Sequence, residues 1–255
     1  MSKPKVSYKF YATLLDGYQD YLRSSEIYQE YWGFSENPSK TEDEFETEQL
    51  QGLINRINRV PFDSEAADKG TAFNEVVDCL VLNQKTARED MSIVSDKEKG
   101  IILVTFKERE FKFPLALCRE FANYYKGAVP QVYTEAVLST RYGDVLLYGY
   151  IDELMPTCVH DIKTTGKYFV GKFLHHWQHI VYPYALQQEG NDIFDFEYNI
   201  AVMTKYGEPK TYTEAYSFVP DRDIPRLQAH CEGLIEFIEM KRDLITDKKI
   251  FALDE

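Results

Sequence analysis

Residues 131–165 carry the pattern that most limits how this chain can fold: "QVYTEAVLSTRYGDVLLYGYIDELM" and, shortly after, "CVHDIKTT". The first run reads as two strands around a turn at Tyr142–Asp144, and the second as a third strand. Asp152 closes the second strand after "LLYGYI", and Asp161 lies within the third, two residues before Lys163. Carboxylates at the inner ends of apolar strands are costly to desolvate unless something cationic sits between them.

The flanking sequence predicts helices on both sides of that sheet. Residues 8–33 carry Leu and aromatic residues at helical spacings, in two helices closed by Gly33. "TEDEFETEQ" is a solvated helix start leading into a stripe of Leu53, Ile54, Ile57 and Val60, and Phe73, Val76, Val77 and Leu80 mark a second buried stripe. "EKGIILVTFKEREFKFP" reads as a hairpin turning at Lys107–Glu110, followed by a short helix, "LALCREFANYYKG". "KFLHHWQHIVYPYALQQEG" predicts a helix bent at Pro183; "FEYNIAVMTKYG" and "TYTEAYSFVP" predict two strands; an amphipathic helix ends the chain. The order α–β–β–β–α–β–β–α predicts an α/β fold, a central mixed sheet flanked by helices. Without a repeat or linker, one domain over 1–255 is expected, with a helical N-terminal extension over 1–62 and a core over 63–255.

Several function classes drop out. No apolar run approaches the roughly 18–20 residues that span a bilayer, and the N-terminus lacks the apolar region of a signal peptide. Cys79, Cys118, Cys158 and Cys231 are scattered, which predicts free thiols in a reducing cytoplasm and no zinc or iron–sulfur cluster. A formal net charge of −13 argues against a general electrostatic grip on nucleic acid, though not against a local basic patch in a cleft.

Asp161 and Lys163, at i and i+2 on a strand, share one face while Ile162 faces the core. Asp152 reaches the same end of the sheet. Converging carboxylates would force one to keep its proton, and a divalent cation removes that conflict. Hard oxygen ligands in a partly open site suit Mg²⁺ or Mn²⁺, which can acidify a water, with Lys163 beside it to orient or deprotonate that water or stabilise a transition state. Alone, Asp-x-Lys is common and reads first as a strand-end salt bridge of Asp161 with Lys163.

The set does not stand alone. Gly149–Asp152, Asp161-Ile162-Lys163-Thr164 and Gln178-x-x-x-Tyr182 follow one another in register, and this series resembles the PD-(D/E)xK nuclease superfamily in its RecB and RecE-like branch. The resemblance implies a restriction-endonuclease-like core and a metal-dependent deoxyribonuclease. Asp152 and Asp161 would be catalytic and bind the metal with the Ile162 carbonyl, and Lys163 would be catalytic. Gln178 and Tyr182, on one helical face, would contact the DNA strand, as would Thr164, Lys167 and Lys172. The size resembles exonucleases that resect duplex ends for recombination or repair, including phage ones. It implies a DNA substrate, a recombination annealing protein as partner, a possible homo-oligomer, and the cytoplasm of a bacterial or phage-infected cell. A same-fold endonuclease, or a nuclease-derived DNA-binding module without turnover, are the rivals.

The chain departs from the family at one place. "GTAFNEVVD" carries Asn74 where a His ligand commonly falls. Helical phase puts Asn74 at the rim of the site and Glu75 in solvent, and Glu135, on a neighbouring strand, is an alternative oxygen ligand. Between Lys163 and Gln178 lie Lys167, Lys172, His175 and His176 with no acid, a window suited to a phosphate backbone. His175, His176 and His179 do not predict zinc, because adjacent His residues diverge by about 100° on a helix.

Overall fold

A computed structural model describes residues 6–205 and 207–253. Residues 1–5 of the expected extension, Tyr206 of an expected strand and residues 254–255 lie outside the described residues. The strands are β1 (Tyr8–Tyr11), β2 (Met91–Asp96), β3 (Ile101–Phe106), β4 (Arg109–Pro114), β5 (Val129–Thr140), β6 (Gly143–Leu154), β7 (Cys158–Thr165), β8 (Asp195–Val202) and β9 (Lys210–Ser217). The helices are α1 (Ala12–Leu22), α2 (Ser24–Trp32), α3 (Glu42–Ile57), α4 (Glu65–Val81), α5 (Leu115–Tyr124), α6 (Gln178–Gln188) and α7 (Pro220–Met240). This is the expected α/β architecture, a mixed central sheet between helical layers, with a mainly helical N-terminal part.

The central sheet runs β1-β6-β7-β8-β9, with β5 also paired to β6. Strand β5 takes one whole edge of β6, from Thr140↔Gly143 to Val129↔Leu154. On the opposite edge β1 pairs in parallel with 145–148, and β7 pairs antiparallel only through Glu153↔His160 and Leu154↔Val159. Residues 149–152 of that edge therefore have no strand partner, because β6 and β7 part there. Strand β8 continues parallel to β7, and β9 antiparallel to β8.

Side-chain alternation divides the core in two. Val145, Leu147, Ile151, Val159, Phe196, Tyr198 and Ile200 face α1, α3, α6 and α7. Ile162 and Ala201 face the other way, into a cluster with Phe73, Val76 and Val77 of α4, Phe121 of α5, and the three-stranded sheet β2-β3-β4. The same alternation turns Asp161 and Lys163 toward α6, and Ile162 and Thr164 toward α4.

Four expectations need correction. The segment "YKFY" is strand β1 rather than helix, its four residues too short for their alternation to stand out. Strand β2 was unforeseen. Val60 lies beyond α3 and Leu80 at the outer edge of its stripe, and both are exposed. The helix expected from 172 begins at Gln178; ahead of it the chain makes successive turns, with the N–H groups of Lys172, Leu174 and His176 bonded to the carbonyls three residues before them, and the Glu214 carboxylate accepts the N–H groups of Gly171 (2.9 Å), Lys172 (3.1 Å) and Phe173 (3.3 Å). The four cysteines are free thiols, as expected. No described helix is long and apolar enough to cross a membrane.

Candidate active site

The parting of β6 and β7 puts Asp152 at an open edge. Its Oδ2 accepts the Ile162 N–H at 2.8 Å and the Asn74 Nδ2–H at 3.1 Å, so a side chain replaces the missing strand partner. A strand residue's N–H and C=O point to the same side, and the Ile162 carbonyl therefore opens toward the same gap. Burial raises the Asp152 pKa, and the nearby Asp161 adds to it. Lys163 Nζ forms an ion pair with Asp161 Oδ2 at 2.7 Å and lies 5.6 Å above the Tyr198 ring. Burial opposes the Lys163 charge, but Asp161, Asp152 and Asp16 outweigh it and hold the pKa above its ordinary value.

Gln178, the first residue of α6, ties the pair together. Its Nε2 donates to Asp161 Oδ1 at 2.6 Å and its Oε1 accepts from Lys163 Nζ at 2.7 Å. With both amide ends engaged and 4% of its surface exposed, Gln178 orients Asp161 and Lys163 and presents nothing to a strand. Tyr182 likewise is a core residue: it is 4% exposed, and its ring covers Gly149 so closely that a Cβ there would meet Cε1 at 2.7 Å. Both residues expected to contact the DNA strand are thus buried in this structure. Pro183 lies inside α6 and leaves the His179 carbonyl without its i+4 donor.

Helix α4 supplies the rim. Asn74 is half-buried and faces Asp152, as expected, with its Oδ1 buried and unpartnered. Glu75 is not free in solvent: its Oε1 accepts from Thr86 Oγ1 at 2.5 Å, and it lines a 210 Å³ cleft with Thr71, Asn74, Asp78, Arg88, Gln131 and Asp152. Glu135 is not in this cleft. Its cross-strand partner is Tyr148, four residues from Asp152, and it accepts from Tyr133 Oη at 2.6 Å beside a separate pocket lined by Lys9 and Glu189. At about 3.3 Å per residue it stands roughly 13 Å along the strand.

Sequence reasoning missed three acids. Asp78, one turn beyond Asn74 on α4, accepts from Gln131 Nε2 at 3.0 Å, and Glu153 is fully buried with its carboxyl paired to that of Asp78. Burial raises both pKa values; Glu75 adds to the first and Asp78 to the second. The i, i+4 spacing from Asn74 was a legible signal for Asp78. Asp16, from α1, also reaches the site, and nothing local in sequence signals it.

The window between Lys163 and Gln178 is an irregular loop. Thr164 is half-buried opposite Gly70 of α4, where an added Cβ would meet the Thr164 hydroxyl at an ordinary 3.4 Å. Lys172 Nζ donates to Thr165 Oγ1 at 2.7 Å and the Lys167 carbonyl at 2.8 Å, so it braces the loop, while Lys167 is exposed. His175 precedes the helix, and His179 is buried, stacked on Tyr216 at 4.3 Å.

No family model and no curated protein matches the chain. Among solved structures, that of a proposed exonuclease from Eubacterium rectale is 16% identical, covering 91% of this chain and 82% of its own, with a TM-score of 0.46. The crystal structure of SSO0001 is 11% identical, covering 92% of this chain and 79% of its own, with a TM-score of 0.45. Both likenesses are distant, and the chemistry rests on this chain's own residues.

Those residues fit a hard divalent cation. Two carboxylates share the gap, Asn74 Oδ1 is buried without a hydrogen-bond partner, and the Ile162 carbonyl faces the same space. Only the Asn74 NH₂ can face a carboxylate oxygen, which leaves Oδ1 available. Among the described residues no three His, Cys, Asp or Glu side chains converge. A cation here would rely on two carboxylates, neutral oxygens and water, the habit of Mg²⁺ rather than of zinc.

Proposed function

We propose that this chain is a metal-dependent deoxyribonuclease of the PD-(D/E)xK kind, RecB and RecE-like, an exonuclease acting in DNA recombination or repair. The observation that carries the reading is the meeting of Asp152, Asp161, Lys163 and Gln178 where β6 and β7 part. Asp152, Asp161, Asn74 Oδ1 and the Ile162 carbonyl would hold Mg²⁺ or Mn²⁺, which supplies an acidified water and a shield for the phosphate's charge. Lys163, fixed by Gln178 and Asp161, places a donor and a positive charge beside the attacked phosphate. Gln178 keeps Asp161 and Lys163 aligned. Lys167 offers an exposed cation on the loop leading from β7, suited to the DNA backbone.

The test is nucleotide release from a linear duplex and from a closed circle of the same sequence, with Mg²⁺ and with chelator. Release from the linear form alone, abolished by chelator and by Asp161→Asn, is expected. Cleavage of the circle would establish an endonuclease, and metal-dependent DNA binding without cleavage of either form a module without turnover.

A further inference from the structure

Helix α1 belongs to the N-terminal segment, yet it reaches the start of α6. The Trp177 N–H donates to Asp16 Oδ1 at 2.5 Å across 161 residues of sequence, and the indole Nε1–H donates to Gln19 Oε1 at 3.2 Å. Asp16 Oδ2 lies 3.5 Å from His176 Nδ1, which has no other partner. Across the ring, Trp177 stacks on His230 of α7 at 4.0 Å and 13°. Residue 177 is therefore clamped on two sides, and the next residue is Gln178, whose amide bridges Asp161 and Lys163.

We propose that Asp16 is a positioning residue for hydrolysis: by accepting the Trp177 N–H at the N-terminus of α6, it holds Gln178 where its amide orients Asp161 and Lys163. The geometry makes this more than packing. Asp16 is 6% exposed, and the Trp177 N–H, at the N-cap of α6, gives this buried carboxyl the hydrogen-bond partner it needs. Capping residues at helix N-termini hold the first turn in place. Here the first turn begins with the bridging residue itself. Burial pushes the Asp16 pKa up to about 7, so near neutrality a neutral acceptor serves the same purpose. Asparagine should therefore substitute, and alanine should not.

The proposal rests on the nuclease reading, and its test separates the two. In Asp16→Ala, kcat should fall about tenfold with KM within about twofold, while Asp16→Asn stays within about threefold of wild type. Because Asp16 acts through Gln178, adding Asp16→Ala to Gln178→Ala should lower kcat no further. A separate reading needs no turnover: the side-chain amide resonance of Gln178 should move in Asp16→Ala and stay in Asp16→Asn. If Asp16→Ala does not fold, Asp16→Ser, with its oxygen drawn back from the helix, replaces it in every comparison. Undiminished kcat in the folded variant, losses that add to those of Gln178→Ala, or an unmoved Gln178 resonance would each overturn the proposal. If wild type hydrolyses nothing, the nuclease reading fails, and the resonance still decides whether Asp16 sets Gln178.

Discussion

Gly149 shows how single atoms set this site. A side chain there would press into Tyr182, whose Cε1 and Oη would lie 2.7 and 2.9 Å from the new Cβ. Gly149→Ala should lower stability by about 1–3 kcal/mol, the usual cost of overpacking, and an unchanged urea midpoint would show that Tyr182 yields freely. Lys163→Ala should keep the fold and reduce turnover by roughly 10²-fold or more, the range for charge-stabilising groups. Normal turnover in the folded variant would return Lys163 to a strand-end salt bridge. Asn74 adds an oxygen without charge, so Asn74→Ala should weaken cleavage modestly and Asn74→Asp should shift the preference between Mg²⁺ and Mn²⁺. Glu75→Ala should matter less than Asn74→Ala, because Glu75 is engaged by Thr86. The reverse order in a kinetic comparison would make Glu75 the more important acid.

The elements explain what sequence could and could not disclose. Asp152, Asp161, Lys163 and Gln178 were legible, because strand alternation and the order of strand ends are local properties. So was the hairpin of β5 and β6, although its turn is Arg141–Tyr142 and the expected turn residues Gly143 and Asp144 already pair in the ladder. Asp16 was not, since its meaning lies in a bond to a residue 161 positions away. The burial of Tyr182 was hidden for a related reason: helical spacing places it under Gln178, but the depth of the sheet decides how far it is covered. Ahead of α6, Glu214, on β9, pins the loop by accepting the N–H groups of residues 171–173. Glu214→Ala should therefore free that loop. Amide exchange at Gly171, Lys172 and Phe173 should accelerate while the amides of β8 keep their protection, and equal protection in both proteins would refute the clamp.

At the scale of the whole molecule, buried histidines tie stability to pH. His230 lies in contact with the Leu15 carbonyl at 3.0 Å, and burial pulls its pKa down to about 4. The unfolded chain takes up this proton near pH 6.5, so its contribution to stability is complete above that value and is lost as pH falls toward 4. At about 1.4 kcal/mol per pH unit, wild type should lose about 2 kcal/mol more than His230→Phe between pH 7 and pH 5. The comparison cancels the buried carboxyls both proteins share, and equal losses by urea titration would contradict it. The acidic chain, at −13, gathers its chemistry into one gap between two strands, and the central claim is that this gap holds a divalent cation. Calorimetric titration with Mn²⁺ tests that most directly. Wild type should bind one ion or more and Asp161→Asn, of the same shape but without the charge, should lose that binding; unchanged affinity in the folded variant would contradict the account.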